Sequence, residues 1–62
     1  MKDCYKTYYI EYVNVQGEYK VFRSKNTNCI IEFEDYTLAL KVKNWFLRKS
    51  WCDNAEIKEI YY

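Results

Sequence analysis

The 62-residue sequence has no histidine and no proline, and Gly17 is its single glycine. Histidine is the most common general base, metal ligand and pH-sensitive side chain, so its absence removes the usual means of catalysis. A phosphate-cradling loop needs several glycines and is excluded as well. At this length only about 60% of the unfolded chain's surface can be buried, which leaves room for one thin core. We therefore predict a single domain over 1–62 that is not an enzyme, with no catalytic residue, cofactor or small-molecule substrate.

Cysteine is sparse and occurs as Cys4, Cys29 and Cys52. The three are widely spaced and form no Cys-x-x-Cys pair, so a zinc site would need carboxylates to complete it. Their odd number also argues against the disulfide framework of a secreted domain. Neither a signal peptide nor an apolar run near the roughly 20 residues of a membrane span is apparent. The sequence predicts a reduced, soluble, cytoplasmic protein that binds no metal and no membrane.

Hydrophobic residues make up 50% of the sequence, and many of them are tyrosine or β-branched residues, which favour strands. In the first predicted strand, Tyr8, Ile10 and Tyr12 alternate onto one face. Gly17 tolerates a positive φ and predicts a hairpin turn after that strand. The predicted strands cover 5–15, 19–23, 29–33 and 55–62.

A helix is predicted where the apolar spacing changes from every second residue to every third or fourth. Asp35 is its expected N-cap, because a carboxylate there accepts a backbone N–H bond and lies at the positive end of the helix dipole. No glycine or proline ends the helix, so Asn54 is expected to adopt the left-handed conformation that closes it. The helix covers 36–50, and its expected core face consists of Leu38, Ala39, Val42, Trp45 and Phe46.

The predicted order of elements is β-β-β-α-β. This order indicates an α+β fold, in which an antiparallel sheet of about four strands is packed on one helix. The last strand can lie at an edge of the sheet or beside the first strand, and the sequence leaves both positions open.

The helix carries more apolar surface than one sheet can easily cover. At 100° per residue, the expected core face spans about 180° to 300°, whereas Tyr36, Leu40, Leu47 and Trp51 fall between about 0° and 60°. Tryptophan and tyrosine are enriched at binding hot spots. We predict that these four residues, here called the predicted ridge, bind a protein, either a second copy in a homodimer or a host protein. A curled sheet or a terminal segment covering the ridge is the alternative.

The helical region also carries a block of basic residues. Residues 36–52 hold four cations and no carboxylate, although the whole chain has a net charge of only +1. Lys41, Asn44 and Arg48 form a polar stripe on the helix, and sheet tyrosines can stack on bases. The alternative function is therefore a small nucleic-acid-binding domain. The cations are few for a strong phosphate footprint, so a solvated helix face is the simpler interpretation.

Amino acids with A/T-rich codons greatly outnumber those with G/C-rich codons, which is typical of low-GC bacteria, their phages and their mobile elements. In its size, coding bias and lack of catalytic groups, and in the arrangement of 19–23, 29–33 and 36–50, the chain resembles small α+β inhibitors of host defence such as anti-CRISPR proteins. The resemblance spans the whole chain without a specific motif, so it assigns no site residue. It implies a phage-encoded, non-catalytic inhibitor that binds a host protein complex in the bacterial cytoplasm. Because the chain is not acidic, occlusion of a protein surface, or interference with a nucleic-acid strand through Lys41 and Arg48, fits better than mimicry of nucleic acid.

Overall fold

A computed structural model describes residues 5–62 and gives an antiparallel sheet with one helix on one face. The elements are β1 (Lys6–Asn14), β2 (Tyr19–Val21), α1 (Tyr36–Leu47) and β3 (Cys52–Tyr61). The strand order is β2-β1-β3, so the last strand lies beside the first. The predicted α+β class, the antiparallel sheet and the single helix are confirmed. Within residues 5–62 the sheet has three strands, however, rather than about four.

The segment 29–33, predicted as a strand, contacts the sheet without forming a continuous strand of it. It makes isolated bridges, one between Ile30 and Arg23 and one between Phe33 and Tyr8. Asn28 has a φ of 60°, and this left-handed residue bends the chain just before the segment. β2 pairs with only three residues of β1. The segment meets the chain just after β2 at Arg23 and the part of β1 that β2 leaves uncovered at Tyr8, so it forms a continuous ladder with neither, although its apolar alternation is real.

The turn between β1 and β2 is built as the sequence predicts. Gly17 has a φ of 86°. The side-chain oxygen of Asn14 accepts hydrogen bonds from the backbone N–H groups of Gln16 (3.0 Å) and Glu18 (2.9 Å). These bonds satisfy donors inside the turn that the strands cannot reach. The hairpin fixes the register of β2 against β1, with Tyr12 opposite Lys20.

The helix begins as predicted and ends earlier. Asp35 is the N-cap, and its carboxylate accepts a bond from the N–H of Thr37 at 2.9 Å. The helix ends at Leu47, three residues before the predicted end, with Arg48 as the C-cap. Arg48 is in the right-handed region, and Asn54 lies within β3. The expectation of a left-handed Asn54 is therefore wrong, because β3 starts at Cys52 and leaves no loop for it.

The core is small and lies between α1 and the sheet. On the sheet side, Tyr8, Ile10 and Tyr12 share one face, as the alternation predicts, and that face packs against the helix. Leu38 and Trp45 were expected in the core but are 50% and 48% exposed. The fully buried Ala39 has a small side chain, which lets the helix approach the sheet at that position. The helix is therefore rotated about its axis relative to the prediction, and Leu38 and Trp45 are turned towards solvent. The buried apolar side chains of the described residues are Ile10, Ala39, Phe46, Cys52 and Ala55.

Candidate functional site

The predicted ridge is exposed, but the structure divides it. Tyr36, Leu40 and Leu47 are 51%, 37% and 43% exposed on one side of α1. Trp51 is 43% exposed and lies beyond the end of the helix. The helical projection that grouped it with the other three does not apply past Arg48. The ridge therefore keeps its three helical members, and Trp51 belongs to another surface.

Trp51 joins an aromatic cluster at the C-terminal end of the helix. Its ring centroid is 5.8 Å from those of Tyr12 and Phe46 and 6.3 Å from that of Trp45. Phe46 is the centre of the cluster, with its ring stacked on Tyr12 at 4.6 Å. It also meets the ring of Phe22 edge to face at 5.1 Å. The cluster closes one end of the core and leaves its outer rings half exposed.

Tyr36 lies on the flank of α1 beside β3, here called the β3 flank, and Leu40 and Leu47 lie within about 40° of Tyr36 around the helix axis. Tyr36 lines an open cleft there, together with Lys43 of the helix and Glu56, Ile57 and Glu59 of β3. β3 is an edge strand, and nothing in residues 5–62 pairs with its outer edge. An unpaired strand edge is a template for another strand. This flank thus combines exposed helical side chains with free backbone donors and acceptors.

The opposite flank of α1 holds an apolar groove that the sequence reasoning missed. It lies between the helix and the irregular segment 22–33, and its volume is about 430 Å³. The exposed Trp45 forms one wall. A usable signal was the position of Trp45 at the outer limit of the expected core face. We call this surface the aromatic groove; its lining is Phe22, Ile31, Phe33, Lys41, Val42 and Trp45.

A second depression continues the aromatic groove towards Trp51. It has a volume of about 380 Å³ and shares Phe22 and Trp45 with the groove. Arg23 and Lys25 stand at its edge. The two depressions adjoin along the side of the helix, and the rings of Phe22 and Trp45 form the boundary between them.

The rim of this surface is basic. Lys41 lines the aromatic groove, Arg23 and Lys25 line its continuation, and Lys49 Nζ lies 4.3 Å above the ring of Trp45. No Asp or Glu of the described residues lines either depression. The ion pairs found within residues 5–62 use other lysines, namely Lys6, Lys20 and Lys58. The four cations on the rim thus lack carboxylate partners in this part of the chain.

The polar stripe predicted for nucleic acid faces solvent. Lys41, Asn44 and Arg48 are all exposed, so the structure brings them to one outward side of the helix. The face of the sheet away from the helix is mixed in charge. Lys58 there lies 3.7 Å from Glu11 on the neighbouring strand β1 and 3.2 Å from Glu56 on its own strand. Carboxylates on that face oppose phosphate binding.

Cys52 and Tyr62 are held in their protonated, less reactive states, whereas the Cys29 thiol is exposed. Burial raises the pKa of the Cys52 thiol, which keeps it protonated. A hydrogen bond to Glu32 raises the pKa of Tyr62, and the same bond, with one from Thr7 Oγ1 at 2.7 Å, lowers the pKa of Glu32. Glu32 is thus a poor base and Tyr62 a poor acid. These bonds tie the segment after Asn28 to the sheet.

Within residues 5–62, no group of three or more Cys, Asp or Glu side chains is arranged to hold a metal ion. No helix in that range has both the length and the apolar character needed to cross a membrane. Comparison of the chain with protein-family models, with curated proteins and with solved structures found no match.

Proposed function

We propose that the chain is a non-catalytic module that acts by binding proteins, including a second copy of itself. The observation that carries this proposal is the imbalance of apolar surface. Among the described residues, five apolar side chains are buried, whereas eleven large ones are at least 37% exposed. Exposed patches of this kind, next to polar residues, are typical of protein interaction sites. Six of the eleven lie on α1 or at Trp51, and the other five lie in or beside the strands.

The β3 flank is the surface that fits a second copy. Suppose two β3 strands pair antiparallel about a two-fold axis at Ile57. Each Glu56 then lies opposite a Lys58 of the other copy, and the two Ile57 side chains meet. Opposite charges placed directly across a strand pair each contribute roughly 0.2–1 kcal/mol. A two-fold interface needs such a self-complementary patch. Leu40 and Leu47 overhang the same edge, so the two helices would pack above the strands.

Substitution of the ridge leucines tests this dimer. We expect the wild-type protein to sediment as a dimer at about 100 μM, and L40D/L47D to sediment as a monomer with an unchanged circular dichroism spectrum. The matched control is V15D, since Val15 is an exposed aliphatic residue in the β1–β2 turn. V15D should remain a dimer. A wild-type protein that stays monomeric up to about 1 mM, which corresponds to about 4 kcal/mol of binding energy, would refute the dimer.

The biological role that we propose for this module is a phage-encoded inhibitor that binds a host protein in the bacterial cytoplasm. Its support is the resemblance in size, coding bias and lack of catalytic groups. A direct test is inhibition of a purified host-defence complex by the protein at stoichiometric amounts. Inhibition by occlusion should be lost in surface variants that keep the fold, whereas turnover of the complex by the protein would contradict a non-catalytic role.

Nucleic-acid binding is the second candidate function. The exposed stripe of Lys41, Asn44 and Arg48, beside further cations on the groove rim, favours it. A filter-binding titration with single- and double-stranded oligonucleotides at low and moderate salt tests this role. Binding that weakens with salt and falls in K41E would support it, and no binding at low salt would exclude it.

A further inference from the structure

The aromatic groove is a built surface rather than a gap in a loose loop. Its outer wall is held to the sheet by two hydrogen bonds between Phe33 and Tyr8, of 2.7 and 2.8 Å. A bond of 3.1 Å from the N–H of Ile31 to the carbonyl of Phe22 fixes the middle of the wall. The other wall is α1, which presents Trp45. An apolar cleft with two fixed walls exists without a ligand, so little ordering is needed to fill it.

The rim of the groove defines the charge of its occupant. Arg23, Lys25, Lys41 and Lys49 surround the apolar floor and have no carboxylate partner among residues 5–62. Arg23 is oriented by a bond from its guanidinium to the carbonyl of Asn28 at 3.0 Å, which leaves its charge uncompensated. Such a ring attracts and orients a negatively charged partner and rejects a positive one.

We propose that the aromatic groove binds an acidic peptide segment of another protein, with large apolar side chains entering the groove and carboxylates meeting the rim. This inference rests on the proposed protein-binding function and names the partner's chemistry. An amphipathic segment that lays its apolar side chains into a hydrophobic groove is a common mode of peptide recognition. Here the groove and its continuation give two adjoining places for anchors, separated by Phe22 and Trp45.

The ring arrangement favours a peptide over single-stranded nucleic acid. Base stacking needs open ring faces in succession. In the continuation of the groove the ring of Phe46 is covered by Tyr12, and the ammonium of Lys49 lies over the ring of Trp45, which both depressions share. The remaining lining includes the aliphatic side chains of Ile31 and Val42, which offer no stacking surface. Aliphatic or aromatic peptide anchors fill such a floor, whereas nucleobases leave their polar edges unpaired against it.

The test is selection from a displayed library of random peptides of about 12 residues, a length that spans both depressions. Selected peptides should be enriched in Asp and Glu around Leu, Phe or Trp. A synthetic copy of one selected peptide is then titrated by fluorescence anisotropy. W45A and K41E should each weaken its binding at least about tenfold, and added salt should weaken it too. Replacement of the glutamates of the peptide by lysines should abolish binding.

The chain provides closely matched controls. K43E changes the same charge on the same helix, but Lys43 lies on the β3 flank. L47A removes an exposed helical side chain from that flank as W45A does from the groove. Both controls should bind the peptide as the wild type does, and so should the monomeric L40D/L47D. A wild-type protein that stays monomeric but binds the peptide refutes only the dimer, and a wild-type dimer that binds no peptide refutes only the groove.

Three results would overturn the acidic-peptide assignment. The first is a failure to select peptides, or selection of peptides without enriched acidic residues. The second is an equal loss of peptide affinity in K41E and K43E, which would show that the net charge of the protein, rather than the groove, causes the loss. The third is a single-stranded oligonucleotide that binds more tightly than the selected peptide and loses binding in W45A. That last result would assign the groove to nucleic acid.

Discussion

Replacement of Phe46 by alanine is the sharpest test of the fold. Phe46 is 2% exposed and lies in the middle of the aromatic cluster, between the helix and the sheet. Its ring is stacked on Tyr12 at 4.6 Å and meets Phe22, Trp45 and Trp51 edge to face at 5.1, 5.2 and 5.8 Å. F46A removes the one ring that touches all four neighbours and leaves a cavity that the half-exposed rings cannot close.

The expected loss follows from the burial and from the size of the domain. Phe→Ala substitutions at buried sites cost about 3–5 kcal/mol of unfolding free energy. A domain of this length has a total of about 3–9 kcal/mol available. We therefore expect F46A to lose about 4 kcal/mol and to be partly unfolded at room temperature. F46L keeps most of the volume and loses the ring contacts, so a loss of about 1–2 kcal/mol is expected.

The assay is urea unfolding followed by circular dichroism, because Trp45 and Trp51 lie beside the substituted ring and their fluorescence would change for local reasons. Leu38 is the matched control, being a large apolar residue of the same helix that is 50% exposed. L38A should stay within about 0.5 kcal/mol of the wild type. If F46A lost less than about 1 kcal/mol, or no more than L38A, the core described above would be wrong.

Three smaller predictions concern the turn, the helix start and acid stability. D35A should lose about 1 kcal/mol of unfolding free energy because Asp35 caps α1, while D53A should lose less; thermal unfolding compares the two. G17A should lose about 1 kcal/mol in the same assay because Gly17 has a φ of 86°, although the space beside it is open. Hydrogen bonds from Tyr62 and Thr7 lower the pKa of Glu32 below its ordinary value in the folded protein. Its contribution is thus present above the unfolded-state pKa and is lost as the pH falls through the folded-state pKa, so E32Q should flatten the acid limb of stability against pH. An unchanged acid limb in E32Q would contradict this role.

Features fixed by neighbouring residues were predictable from the sequence. The role of Gly17 in the turn depends only on its own positive φ. The role of Asp35 as N-cap depends only on a backbone N–H two residues further along the chain. The face shared by Tyr8, Ile10 and Tyr12 follows from the alternation of any strand. Each of these signals is local, so no knowledge of the rest of the fold was required.

Features fixed by distant contacts were not predictable. The alternation in 29–33 is genuine, but a strand needs one continuous partner, and the division of this segment's contacts between Arg23 and Tyr8 depends on how the rest of the sheet folds. The rotation of α1 depends on how closely Ala39 approaches the sheet. The grouping of Trp51 with the ridge assumed that the helix continues past Leu47. Ile31 and Phe33 line the aromatic groove in the irregular conformation of 29–33. The incorrect prediction of a strand there therefore also prevented prediction of the groove.

The pairing of β1 with β3 has a consequence for biosynthesis. Lys6 lies opposite Tyr61, so almost every contact between these strands joins positions far apart in the chain. At a ribosomal rate of about 5–20 residues per second, β1 waits several seconds for its main partner. During that interval its tyrosine-rich face is open to other nascent chains. The short hairpin with β2 forms from nearby residues, so β2 can pair with β1 before β3 has been synthesised. The three-residue β2 would then cover part of β1 in the nascent chain as well as in the finished sheet.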